Sequence, residues 1–328
     1  MFVIAEIACS HNGKFSQLKR LVREAFLSGA DAVQFQIWNL KYMMSPKNKL
    51  FTKLKKIEFT ENDWIKIIRF TKQKFPKLKI FCCFYEHTSF ALAQKIKIDG
   101  IKINSSDLTN PLVLKEALKF DNHINLSVGG SSVEEINYAI KLLKKNKKNK
   151  INLMYGIQNF PTKINEVNLI RLGQLRDTFK MTIGYQDHTN YKSKHRNHLC
   201  FMAMAMGAKI LEKHICYTRS KKSYDYESAL FFDEFKLFVD EIKKLKNSLG
   251  KPITKNFSKS EKNYRDFQKK SIVLNFPKKT GDIVSTKDIS FLRTNKLGIS
   301  PHKINFVLSR KLKKNVGAFV PLKFSDFK

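Results

Sequence analysis

Short apolar runs alternate with amphipathic segments along most of the chain, and that alternation restricts the fold more than any other feature. The first run, Phe2 to Ile7, is followed by Phe15 to Ser28, whose apolar residues recur at helical spacing until Gly29 stops them. A second run, Ala32 to Ile37, leads through a polar loop to a helix opened by Thr60-Glu61-Asn62-Asp63, the pattern of a capping box. Further strands are predicted at Lys79 to Phe84, Gly100 to Asn104, Ile124 to Ser127, Ile151 to Tyr155, Met181 to Gly184 and Ile210 to Ile215, each followed by a helical pattern. The last helix is predicted over Phe232 to Leu249, ending at Gly250 and Pro252. Eight such units in about 250 residues predict an α/β chain folded as a TIM (β/α)8 barrel.

After residue 250 the pattern changes. Residues 251–263 are polar and Lys-rich and are expected to form a linker. Residues 264–328 replace long periodic helices with short strand-like runs, such as Gly281-Asp282 and Gly298, and predict a small β-rich domain. That span is near the lower size limit for independent folding, so it is expected to dock on something.

Composition narrows the function classes. The chain has 328 residues, 62 Lys plus Arg against 28 Asp plus Glu, and a formal net charge of +34. With 42% hydrophobic residues it is a folded protein rather than a basic disordered tail. The longest apolar stretch, Leu199 to Ala208, is shorter than the ~18 residues of a membrane span. Cys9, Cys82, Cys83, Cys200 and Cys216 show no C-x-x-C spacing, so neither a disulfide framework nor a zinc site is expected and a reducing cytoplasm fits. The basic excess is spread over Lys-rich helices and comes with no nucleic-acid-binding motif, so it reads as solvated surface rather than as a nucleic-acid interface.

In such barrels chemistry sits at the C-terminal strand ends, so polar residues at period two there are informative. Gln34 and Gln36 share one face of the second strand, Lys102 and Asn104 one face of the fourth, and Glu6 interrupts an apolar first strand. Burying such groups is costly unless they contact each other or a polar ligand, which points to a site at the mouth. His188, just after the seventh strand, and His214, within the eighth, sit on neighbouring strands and could converge on one metal ion, leaving positions for water and a substrate oxygen. His11 lies near the mouth without an assigned role. Of Cys82 and Cys83, neighbours on one strand, one alone can face the mouth, and a packing role is expected for both.

The strings Ala5-Glu6-Ile7 with His11-Asn12-Gly13, Gly29-Ala30-Asp31-Ala32-Val33, Asp187-His188-Thr189 and Leu211-Glu212-Lys213-His214 resemble the sialic acid synthase family in order and spacing. Ser271-Ile272-Val273, Gly281-Asp282, Arg293 and Gly298-Ile299-Ser300-Pro301 resemble that family's C-terminal antifreeze-like (SAF) domain. The resemblance implies an enzyme that condenses phosphoenolpyruvate with an open-chain N-acetylated hexose, giving a nonulosonic acid and phosphate, with a divalent ion such as manganese or magnesium. It implies that His188 and His214 hold the metal, that Lys102, Ser105 and Ser127 contact phosphoenolpyruvate, and that Glu6, Gln36 and Asp225 contact the sugar. Glu6, His188 and His214 are thus the candidate catalytic residues. Arg293 matches an arginine delivered from the partner subunit, which implies a domain-swapped homodimer.

The chain departs from the family pattern within the substrate shell. Gln34 stands where a lysine is usual, Cys83 for threonine, Asn104 for glycine, Gln158 for asparagine, Phe160 for tyrosine, Gln186 for serine and Tyr226 for histidine. The metal pair is kept while the organic-substrate shell drifts. This implies an unusual sugar acceptor or altered handling of phosphoenolpyruvate, with a non-catalytic carbohydrate-binding relative as the alternative.

Overall fold

Strand residues that pack on both sides become the staves of the barrel. In the computed structural model, which describes residues 1–220, 223–250 and 257–328, the strands are β1 (Phe2–Glu6), β2 (Ala32–Ile37), β3 (Lys79–Phe84), β4 (Gly100–Ile103), β5 (His123–Ser127), β6 (Lys150–Tyr155), β7 (Ile183–Asp187) and β8 (Ile210–Ile215). They pair in chain order, all parallel, and β8 returns to β1 to close a TIM barrel. A short ninth strand, β9 (Ala229–Leu230), pairs in parallel with the C-terminal end of β8.

Alternation along each strand divides two cores. Val3, Ala5, Val33, Phe35 and Cys82 face outward into the cluster shared with the helices. Ile4, Ala32, Phe81, Met154 and Ile210 meet inside the lower barrel. There Gly100 and Gly184 leave room: a Cβ on the first would strike the Phe81 ring and on the second the Met154 sulfur. The outer layer follows helical periodicity. Helix Phe15–Leu27 buries Leu18, Leu21, Val22 and Ala25. The chain leaves it through Gly29 at φ +80°, a conformation that glycine adopts without a Cβ penalty. Helix Glu61–Lys74 opens with the expected Thr60/Asp63 capping box and buries Trp64, Ile67, Ile68 and Thr71.

Several expectations are corrected. The seventh strand runs to Asp187 rather than stopping at Gly184, because Gln186 and Asp187 find buried polar partners on opposite faces. The helix from Phe232 ends at Leu245, and its last turn, through Leu249, is 3-10. Residues 251–256, part of the expected linker, lie outside the described residues. The remainder of that linker is largely taken up by helix Lys259–Gln268, which crosses the boundary expected at residue 264.

The chain divides into two compact units, Met1–Gly250 and Lys251–Lys328. In the second, β10 (Lys270–Leu274) and β11 (Ile289–Arg293) form an antiparallel pair over a core that includes Ile272, Leu274, Val284, Ile299, Leu312 and Leu322. Gly281 is a turn at φ +91° rather than part of a strand. Gly298 is also outside any strand, its backbone pressed against the Leu322 carbonyl where no side chain fits.

Candidate active site

The inward faces of β1, β2, β4, β7 and β8 bring Glu6, Gln34, Lys102, Gln186 and Glu212 together, each 0–3% exposed. Glu212 is the hub. Its Oε1 accepts from Lys102 Nζ at 2.6 Å and from Gln186 Nε2 at 3.0 Å, and its Oε2 accepts from Gln34 Nε2 at 3.1 Å. Gln34 Nε2 also donates to Glu6, whose other oxygen accepts from the Ala8 N–H at 2.7 Å. One ring further round, Ser127 donates to Gln186 Oε1 at 2.8 Å, and Gln158 Nε2 lies 3.4 Å from Ser127 Oγ.

Two buried carboxylates thus face one ammonium, and the environment separates them. Burial pushes Glu6 up to about 8, with the Glu212 charge adding to burial and Lys102, 3.9 Å away, opposing it. Burial also acts against charge on Glu212, but the Lys102 ammonium and the Gln186 and Lys102 hydrogen bonds hold its carboxyl below the usual range. Lys102 is held above its usual value because Glu212 and Glu6 outweigh its desolvation. The environment thus favours charge on Glu212 and disfavours it on Glu6, and the closer ion pair is Lys102 with Glu212.

Above this layer His188 and His214 place their ring centroids 5.2 Å apart. His188 Nδ1 lies 2.7 Å from the Ile157 carbonyl. A carbonyl oxygen accepts, so Nδ1 carries the proton and Nε2 keeps its lone pair, the orientation that outer-shell partners impose on metal-binding histidines. His214 Nδ1 is buried with no partner. Burial lowers both imidazoles, His214 further because His188 and Lys102 also oppose its charge, so both are neutral donors. A locked tautomer beside an orphaned imidazole nitrogen fits a divalent ion. Among the described residues no group of three or more His, Cys, Asp or Glu could hold a metal, so the remaining positions would belong to water and substrate oxygens. Phe160 lies against the pair, its ring 4.2 Å from that of His188 and 5.9 Å from that of His214.

The other expected site residues are placed as follows. Gln36 is part-buried one inward position above Gln34, in register with the inward-facing Cys83. Ser105 follows β4 beside Asn104. Asp225, in the left-handed region at φ +58°, accepts from the Cys9 N–H at 3.0 Å, which ties the loop after β8 to the end of β1. Arg293 is exposed on β11 of the second unit. Tyr226 opens a 3-10 turn and is half-buried. His11 does not face the mouth: it is fully buried against Phe59 and Trp64, with Nδ1 accepting from the Gly13 N–H at 3.0 Å.

Glu212 was missing from the expected site set, although the sequence contains its signal. In Leu211-Glu212-Lys213-His214 the period of two puts Glu212 on the same face as His214, while Lys213 points outward to a buried pairing with Asp187.

The arrangement defines a class: a closed parallel barrel whose C-terminal mouth joins a buried ion pair to two neutral histidines. A sequence model of the NeuB family matches residues 21–254, and the chain belongs to that family. It is 29% identical to N,N'-diacetyllegionaminic acid synthase of Campylobacter jejuni over 327 residues, spanning 95% of this chain and 96% of the relative. It is 25% identical to a pseudaminic acid synthase of the same species, spanning 100% of this chain and 97% of the relative. Among solved structures it is similar to the N-acetylneuraminic acid synthetase of Leptospira borgpetersenii, with a TM-score of 0.74 and 25% identity over 80% of this chain and 90% of that one.

Proposed function

We propose that the chain is a nonulosonic acid synthase that condenses phosphoenolpyruvate with the open-chain aldehyde of an N-acetylated or di-N-acetylated hexose. The observation that carries this reading is the neutral His188 and His214 pair directly above the Lys102–Glu212 layer. A bound manganese or magnesium ion, held by the two histidines, would polarise the aldehyde carbonyl as a Lewis acid. The hydrogen bond to Ile157 keeps His188 in the tautomer suited to that task. In the reaction the enol carbon bonds to the aldehyde carbon, water adds at the adjacent carbon, and phosphate leaves. Lys102, Ser105, Ser127 and Gln158 surround the donor half, with Gln34 and Gln186 fixing the Lys102–Glu212 pair from either side. Glu6, Gln36, Asp225 and Phe160 surround the acceptor half, where burial shifts Glu6 toward its protonated form.

In this reading the second unit is the antifreeze-like domain and supplies Arg293 to the site of a second copy in a homodimer. The five cysteines, all free and buried, suit a reducing cytoplasm. One observation favours a non-catalytic carbohydrate-binding relative instead: the Lys102 ammonium is already engaged by Glu212, leaving less positive charge for a phosphate. Mass spectrometry after incubation with phosphoenolpyruvate, manganese and a panel of acetamido sugars separates the two. A product of sugar plus pyruvate mass supports the synthase; unchanged sugars throughout, with sugar binding intact, support the relative.

A further inference from the structure

The end of the barrel opposite the histidines is usually a packed floor that serves stability. Here it opens into a cavity of about 520 Å³, within the range of small-ligand sites. Its base is apolar: Phe2 and Phe81 meet edge to face with centroids 6.1 Å apart, beside Ile210. Its walls are polar, built from Asn122, His123, Asn152 and Thr182. Asn152 donates one amide N–H to Asn125 Oδ1 at 3.0 Å, which leaves its carbonyl oxygen as an acceptor for a ligand. Behind it, Asn125 is fully buried with an unpartnered amide nitrogen. Burial and the nearby Lys150 charge lower His123, which leaves a neutral ring able to donate and accept.

The rim is positive. Asp99 is already taken by Lys79 at 3.2 Å and by the Ile80 N–H at 3.0 Å, whereas Lys209 stands exposed at the edge. The loop between the helix Val133–Leu143 and β6, on the same face, adds the exposed Lys144, Lys145 and Lys147, while Lys148 is paired with Asp121 at 2.8 Å.

We propose that this cavity binds a nucleotide. The base would lie on the Phe2 and Phe81 floor, its hydrogen-bonding edge would meet Asn152 and His123, and its phosphates would reach Lys209 and the lysine loop. A bare phosphate would leave the aromatic floor unused, and a hydrocarbon would leave the wall amides unpaired, which is costly once they are desolvated. The site lies at the far end of the barrel from the proposed chemistry, so occupancy and turnover can be measured separately.

The experiment is calorimetric titration of the full chain with CMP, UMP, AMP and GMP, and with inorganic pyrophosphate as the control for charge alone. At least one nucleotide is expected to bind with a stoichiometry of one. Lys209→Glu should weaken it by at least about tenfold, and Thr182→Trp, an exposed position at the cavity wall, should block it. Both variants should keep the wild-type thermal midpoint. Absence of nucleotide binding, pyrophosphate binding as tight as that of any nucleotide, or binding that survives Thr182→Trp would each overturn the proposal.

Discussion

His11 makes the barrel acid-sensitive in a way that can be isolated. Its ring is enclosed by Phe59 and Trp64, and its Nδ1 accepts from the Gly13 N–H, so the neutral ring carries its proton on Nε2, which is buried without a partner; a second proton would have to sit on Nδ1 against the Gly13 donor, and nothing compensates its charge. Burial lowers its pKa from 6.5 to about 3. The unfolded chain therefore binds this proton more readily than the folded one. The associated stability is fully present above about pH 6.5 and is lost as pH falls toward 3. Between about pH 7.5 and pH 5 the loss is about 2 kcal/mol, a figure set by the unfolded value as long as the folded value stays well below 5. His11→Asn keeps an acceptor for the Gly13 N–H and removes the titration, at a packing cost that is the same at both pH values. Urea unfolding followed by tryptophan fluorescence suits the measurement, because both tryptophans, Trp38 and Trp64, lie in the barrel unit. The wild type should lose about 2 kcal/mol more than His11→Asn over this interval. Equal losses in the two proteins would refute the argument that His11 is buried as a neutral ring.

Other expectations follow from the same geometry. Lys102→Met leaves Glu212 buried without a counter-charge and should cost about 3–5 kcal/mol in urea unfolding; adding Glu212→Leu should recover much of that loss. Gly100→Ala drives a methyl group into the Phe81 ring and should cost about 1–3 kcal/mol by the same assay. Arg293→Ala, at an exposed position, should raise the KM for the acceptor sugar while leaving the thermal midpoint unchanged, if the second unit serves a neighbouring site.

The barrel was legible because its strands obey local rules. Ala32–Ile37, Lys79–Phe84 and Ile210–Ile215 are bounded as the apolar pattern indicates. The polar faces of β2 and β4 exposed the site for the same reason, since Gln34 and Lys102 break runs that otherwise bury apolar atoms. Reading failed where a polar residue is satisfied by a distant partner. Asp187 looks like a loop residue until Lys213, on the next strand, is seen to pair with it across the barrel wall. The period of two on β8 marks Glu212 as inward-facing, but its role as the hub is not local, because its three donors come from β2, β4 and β7. His11 was drawn toward the mouth by its position after β1, whereas aromatic packing from residues 59 and 64 turns it into the wall. The second unit was the least legible, because its core is assembled by isolated bridges such as Ile283 with Lys311 and Leu312 with Phe327, which leave no periodic trace.

The central claim is that the two histidines at the mouth serve a metal-dependent condensation. Its most direct test is phosphate release from phosphoenolpyruvate by the full chain, with and without manganese, across N-acetylated and di-N-acetylated hexoses, in the wild type and in His214→Ala. The account predicts release with at least one sugar, dependent on both the sugar and the metal. It also predicts loss of release in His214→Ala, whose thermal midpoint should stay within about 3 °C of wild type. Release that persists in the folded variant, or that proceeds equally without metal, would contradict it.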